Sequence, residues 1–556
     1  MIEDARHLPA ETAIDVDICI IGAGAAGLTL AHSLGGTKSS ICILESGGLS
    51  YEHLPQRLSR GTSVGVPYEA LDLCRVRQFG GSTGRAGWGG WCKPLDLQDF
   101  EVRSWVPLSG WPIKRADLDP YYAAAADLLG IKKMGATTSS GRGFPAMEQL
   151  FAEQCHLSPR ANIGESLLPG LRNNPNLRII VHATALRLKT NSLGNHVHSI
   201  EVASTRTKRF QVRANLFVLA GGGIENARLL LLSNDESEAG LGNQHDQVGR
   251  YFMEHPRVTW GGLNPNPADR SLALYDPALP SRKRDLDASP ALNSCFEGFG
   301  LAVRPEARAR MHLLGSRTWI KPSVDFKRAQ GEEALQYTTF WLRKGRLHRD
   351  LLRSGSQVLM HPLGAVAAGL ARLTGSWRSP RYYRFVTILE QEPNPLSRIT
   401  LDFKRDAFGS RCAKLDWHIS PLVRHTLERV QAMIVEEMTK LGHSCWTYPQ
   451  EAQMSIEPAY NWVRHHMGTT RMSDDPQRGV VDSACKVHGV HNLFAAGSSV
   501  FPTGGNDMPT LTIIALAMRL GQHLRSLLDR HELSEHRYPV PRTAERAHNG
   551  GGATAV

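Results

Sequence analysis

Gly22-Ala23-Gly24-Ala25-Ala26-Gly27 spaces three glycines as G-x-G-x-x-G near the start of the chain, and Glu45 follows 18 residues after Gly27. An apolar strand-type run, residues 17–21 (DICII), precedes the glycines. Helical apolar spacing through Leu28, Leu30, Ala31 and Leu34 follows them, and a second apolar run over 41–44 ends at Glu45. Strand, glycine turn, helix and acid in this order predict a dinucleotide site. Gly22 makes the tight turn, Gly24 lets the backbone approach a pyrophosphate, and Gly27 lets helix and strand pack closely. The helix N-terminus at Ala25 and Ala26 offers free N–H groups and a positive dipole end to phosphates. Glu45 is placed to accept hydrogen bonds from ribose hydroxyls. The pattern alone does not separate nicotinamide from flavin dinucleotides.

Such a turn needs a parallel sheet behind it, and 556 residues give room for two large domains around an ample core. No stretch reaches the 18 consecutive apolar residues of a membrane span, so stable membrane insertion is not expected. The N-terminal residues hold early acids and no apolar h-region of a signal peptide. Nine cysteines are scattered singly without CxxC spacing. They read as reduced thiols of a cytoplasmic enzyme, with no metal site. The net charge of +11 raises nucleic-acid binding, but the basic residues are spread out and no recognition motif accompanies them. The densest cluster is Arg343, Lys344, Arg346, His348, Arg349 and Arg353, mixed with Trp341, Leu342, Leu347, Leu351 and Leu352. It reads first as a solvated amphipathic helix and second as a membrane-surface or partner-docking arm.

The far end carries a second group of motifs. His465-His466-Met467-Gly468-Thr469-Thr470 is followed by Leu493-Phe494-Ala495-Ala496-Gly497-Ser498-Ser499, and then by Pro509-Thr510-Leu511-Thr512 opening an apolar helix. Phe79-Gly80-Gly81-Ser82-Thr83 runs on to Trp88-Gly89-Gly90-Trp91. Ala220-Gly221-Gly222-Gly223, Glu254-His255-Pro256 and Pro393-Asn394-Pro395 complete the set. Together these resemble the glucose-methanol-choline (GMC) FAD oxidoreductases, particularly the pyranose oxidase and sugar dehydrogenase branch, over roughly residues 15 to 527. The resemblance implies FAD, bound by Gly22, Gly24, Ala25, Ala26, Gly27, Glu45, Gly80, Gly81, Ser82, Thr83, Gly89, Gly90, Ala220, Gly497, Ser498, Pro509 and Thr510. It also implies an α/β fold: a Rossmann-like FAD-binding domain with an inserted α+β substrate domain on a mostly antiparallel sheet. The expected FAD-binding pieces are 12–110, 170–260 and 455–527, and the substrate or cap pieces are 111–169 and 261–454. Residues 528–556 are expected to be a disordered tail.

Within the resemblance, the histidine three residues before Gly468 takes the substrate hydroxyl proton, which places that role on His465 and makes His466 the fallback. Histidine suits the task because its ordinary pKa leaves it able to accept a proton near neutral pH. The family's second catalytic position, a His or Asn before the helix-opening proline, is Met508 here. A thioether cannot orient a hydroxyl, so Asn506 or Asp507 is expected to supply the polar group. Where some members tether flavin through a histidine, residues 84–87 (GRAG) hold none, so FAD is expected to be non-covalent.

The expected function is oxidation of a hydroxyl-bearing carbon of a sugar, glycoside or related alcohol, with oxygen or another small electron acceptor. A natural-product tailoring flavoenzyme with altered oxidation chemistry is the alternative, and a non-catalytic flavin-binding protein the minor one. A homo-oligomer is left open.

Overall fold

Eight strands form the sheet behind the glycine turn. Runs without polar alternation mark strands buried on both faces, and Ile18, Cys19, Ile20 and the whole of Ile41–Leu44 are buried in this way. The strand Ala13–Ile21 lies between Ile41–Leu44 and Arg209–Leu219, parallel to both, with Ile18 opposite Ile41 and Leu216. Leu177–Val181 and Ile2–Asp4 extend the parallel set on one side. On the other side Arg209–Leu219 divides its pairing. Arg209 to Arg213 run antiparallel to Val197–Ala203, while Phe217 to Leu219 pair in parallel with Leu493–Ala495 from the far end of the chain. The helix after the turn, Ala25–Ser33, packs on Thr510–Asp529. Gly521 permits the approach, since a Cβ there would stand 2.7 Å from that of Ser33.

These coordinates are a computed structural model that describes residues 1–84, 90–131, 147–160, 162–266, 272, 296–323, 335, 338, 342, 349–363, 365–366, 370, 382–448, 463–506 and 508–529. Gly89, Asp507, Arg343, Lys344, Arg346, His348 and the tail from 530 lie outside the described residues.

A second sheet has seven strands in the order Ser444–Thr447, Arg257–Asn264, Tyr382–Leu389, Ser316–Ser323, Phe296–Val303, Leu150–Leu157 and Trp91–Cys92. Among the described residues all its pairings are antiparallel. Against it lies the helix Pro421–Lys440, begun by Pro421 and capped by Ser420 Oγ, which accepts the Leu422 N–H at 3.2 Å. Val423, Leu427, Val430, Ile434 and Met438 recur every three or four residues and form its buried stripe. Trp260 stacks on Phe385 in the same core, ring centroids 4.8 Å apart. The architecture is therefore α/β, a Rossmann-like sheet joined to an α+β region on an antiparallel sheet.

After Tyr382–Leu389 the chain forms two more strands, Arg398–Arg405 and Arg411–Trp417. The last two form a hairpin in a separate three-stranded sheet, where Arg411–Trp417 pairs in parallel with Gly61–Gly65. Alternation reports a half-buried strand but not which sheet receives it.

Candidate active site

The carboxyl ends of the parallel strands open onto an elongated cleft, the place where open α/β sheets take ligands. Gly22, Gly24, Ala25, Ala26, Glu45, Gly81, Ser82, Thr83, Ala220, Gly497, Ser498, Pro509 and Thr510 line it. Gly22 holds φ +111° at the turn, and a Cβ on Gly27 would sit 2.0 Å from the Gly22 carbonyl oxygen. Gly27 is therefore a packing glycine behind the cleft. A Cβ on Gly24 would meet nothing within 4 Å, so its missing side chain is room left in the cleft itself. Gly80, at φ +86°, donates its N–H to the Ala23 carbonyl at 2.8 Å and props the turn from behind. The Gly90 carbonyl accepts the Ser158 N–H, and Gly90 is absent from the lining. Glu45 is buried, its two oxygens accepting the Ala23 and Gly47 N–H groups at 2.9 Å each. Burial raises its pKa against those hydrogen bonds. A carboxylate has further lone pairs, so an acceptor for a ribose hydroxyl remains.

Part of this wall comes from residues outside the glycine motifs. Arg75 and Arg77 also line the cleft, both held by Glu225 at 2.6 and 2.8 Å, and Arg77 donates to Ser46 Oγ. Burial pushes the Glu225 carboxyl up, but Arg77, Arg228 and Arg75 outweigh it and hold it well below the usual range. Two fixed guanidinium groups suit the pyrophosphate of a dinucleotide. A glycine gap and two half-buried, ion-paired cations together fit FAD.

Three remote segments meet at the histidines. The Glu254 carboxylate accepts the backbone N–H groups of His255 and His465 through Oε1, both at 2.8 Å, and the Tyr68 hydroxyl through Oε2 at 2.6 Å. Burial raises its pKa, and the converging donors oppose that. His465 Nδ1 lies 2.9 Å from His255 Nδ1, and His255 Nε2 lies 2.8 Å from the Gly505 carbonyl. Burial, with His255 and His466 beside it, drives the His465 pKa well below its ordinary 6.5. Arg464, one residue earlier, adopts φ +64° and is clamped by Glu69 through hydrogen bonds of 2.8 and 3.0 Å. A non-glycine residue in this region costs energy and persists only where its surroundings impose it.

His466 lines the cleft as well but is buried and engaged elsewhere. Its Nε2 is 2.9 Å from the Tyr68 hydroxyl oxygen. Tyr68 gives its own proton to Glu254, so His466 donates to Tyr68 and carries its hydrogen on Nε2. Burial, then Arg75 and Arg464, push its pKa down to about 3. Glu254, His255 and His465 could each offer one ligand atom to a metal, within 4.8 Å of one another.

Asn506 takes a different place from the one expected. It is buried outside the cleft, where Oδ1 accepts from Lys93 Nζ at 2.9 Å and Nδ2 donates to Glu153 Oε2 at 3.0 Å. Arg317 also pairs with Glu153. Burial pushes the Glu153 carboxyl up, but Arg317 and Lys93 bring it down to about 2. Met508 is buried at φ +59° immediately before Pro509.

Known proteins match at both ends of this arrangement. Two GMC oxidoreductase family models match residues 77–257 and 393–517. The fructose dehydrogenase large subunit of Gluconobacter japonicus is 23% identical over 62% of this chain, which spans only about half of that relative's length, 53%. The 6'''-hydroxyparomomycin C oxidase of Streptomyces lividus is 23% identical over 92% of each chain. Among solved structures, pyridoxine 4-oxidase from Mesorbium loti superposes with a TM-score of 0.51 at 17% identity, covering 92% of this chain and 99% of its own. Because the two family models together match more than half of the chain, including cleft residues 81–83 and the histidine segment 464–466, the chain belongs to the GMC oxidoreductase family, whose cofactor is FAD.

Proposed function

We propose that this chain oxidises a hydroxyl-bearing carbon of a sugar, glycoside or related small alcohol, with His465 as the base. The observation that carries the reading is the 2.9 Å contact between the Nδ1 atoms of His255 and His465. The Gly505 carbonyl can only accept, so His255 keeps its proton on Nε2 and presents a lone pair at Nδ1. His465 then donates from Nδ1, and the lone pair of its neutral ring is at Nε2. This tautomer follows from the hydrogen-bond network. The depressed pKa keeps the ring neutral near pH 7, ready to take a hydroxyl proton. Once protonated, His465 keeps its bond to His255, and the Glu254 carboxylate beside both histidines offsets the new charge.

Bound FAD supplies the acceptor for the carbon-bound hydrogen, which leaves with its electron pair, and oxygen or another small molecule later takes those electrons. Arg464, Glu69 and Glu254 hold the His465 backbone, and His255 sets the ring. A sugar-like substrate is supported by relatives named for oxidation of 6'''-hydroxyparomomycin C and paromamine, which match over nearly their full length. Met508 favours a second reading, tailoring of a larger natural product: a buried thioether stands where a polar partner for a simple alcohol is expected. Anaerobic bleaching of the flavin absorbance with simple sugars, amino sugars and glycosides tests both readings. Bleaching by one of these classes is expected; absence of bleaching by all of them would overturn the oxidation.

A further inference from the structure

None of the described residues between 341 and 381 lines the cleft. Its described core is the helix Arg349–Met360, and backbone bonds from His361 to Gln357 and from Ala365 to His361 carry helical pairing past Pro362. Leu352, Leu359, Leu363, Val366 and Leu370 are 71, 80, 67, 58 and 56% exposed. At 100° per residue Leu352, Leu359, Leu363 and Val366 fall within about 40° of one line along the helix, about 21 Å long. Ala365 is buried on the opposite side, with Val358 and His361 half-buried beside it. The helix is thus attached on the side that carries Val358, His361 and Ala365, and the aliphatic stripe faces outward.

The surrounding chemistry identifies what covers the stripe. From 341 to 381 the sequence carries eight Lys and Arg, at 343, 344, 346, 349, 353, 372, 378 and 381, against the single acid Asp350. Trp341 and Trp377 stand toward its ends. A second copy would bring one strongly basic stretch against another. An anionic bilayer meets both features, taking the leucines into the acyl boundary and the cations at the headgroups. No described helix is long and apolar enough to cross a membrane, and a one-sided stripe suits a helix lying along the surface. We propose that this helix docks the protein on an anionic lipid surface.

Sedimentation of the FAD-loaded full chain with vesicles tests this. Binding to mixed phosphatidylglycerol–phosphatidylcholine vesicles is expected to exceed binding to phosphatidylcholine alone by about tenfold, and to fall in high salt. The double variant Leu359→Glu, Leu363→Glu replaces exposed side chains, so FAD content stays as in the parent while vesicle binding drops about tenfold or more. Equal sedimentation of parent and variant, or no sedimentation of the parent, would overturn the proposal. So would gel filtration in which the parent elutes as a dimer and the variant as a monomer, with neither binding lipid, since the stripe would then belong to a second copy.

Discussion

The glycine turn and the histidine pair line one cleft but are built in opposite ways. The turn is backbone: Gly22, Gly24 and Gly27 act through what they lack, and Glu45 buttresses the loop through two backbone N–H groups. All of it lies within one strand–helix–strand unit. The histidine site is side chain and assembled at long range, with Tyr68, Glu254, His255, His465 and Gly505 joined by the Glu254 carboxylate and by both ring nitrogens of His255. A site made of omissions tolerates drift in its surroundings, whereas a site made of directed hydrogen bonds fails when one atom is removed.

The largest expected effect follows from that difference. His465→Ala should leave the flavin spectrum intact and slow anaerobic bleaching by about 10²-fold or more, the scale of a lost general base. A rate within a few-fold of the parent would remove His465 from the chemistry. Gly24→Val should instead cost most of the bound FAD, read as flavin absorbance per protein, because its side chain would occupy open cleft while the fold stays intact. Full occupancy would mean that the turn is not the nucleotide site. The flavin that is bound should appear wholly in the supernatant after acid precipitation, as expected of non-covalent attachment.

Asn506→Ala should lower unfolding stability by about 1–3 kcal/mol, leaving Lys93 and Glu153 each short of a partner, with little change in bleaching rate. A selective loss of rate would return Asn506 to the chemistry. The pH dependence sharpens the contrast further. Because the His465 pKa is depressed, the bleaching rate should stay level as pH falls through 6.5 and decline only well below it. His466, at about 3 when folded and near 6.5 when unfolded, adds stability that is full above pH 6.5 and is lost as pH falls toward 3. His466→Asn should flatten that part of the stability curve, and an unchanged curve would contradict the buried neutral ring. The smallest effect belongs to Met508→Asn. Asparagine accepts positive φ better than methionine but buries a polar group, so stability should move by about 1 kcal/mol or less. Bleaching by a simple sugar should rise by about tenfold or less if only a polar partner is missing there.

Legibility in the sequence follows the same division. The turn, its strand, its helix and Glu45 were readable because their geometry depends on spacing within about thirty residues. The far-end motifs were readable through resemblance, and His465, His466, Gly497, Ser498, Pro509 and Thr510 all line the cleft. Arg75 and Arg77 were not singled out, because a basic pair before a glycine segment has no local mark until Glu225 folds against it. His255 stood in a quoted motif without a role, since its task exists only once residue 465 arrives at 2.9 Å. Asn506 was placed by nearness in sequence to Met508, and the buried pair Lys93–Glu153 that claims it comes from two other segments.

The parallel pairing of Phe217 to Leu219 with Leu493 to Ala495 also fixes the order of events on the ribosome. The first half of the chain can be translated with its central strand still lacking a neighbour, a bare apolar rim of the sort that sticks to other chains. Only after residue 495 emerges can that rim be covered, and only after Pro509 and Thr510 follow is the cofactor cleft walled on every side. Chains cut short before residue 493 should therefore accumulate as aggregates rather than as a smaller flavin-binding fragment.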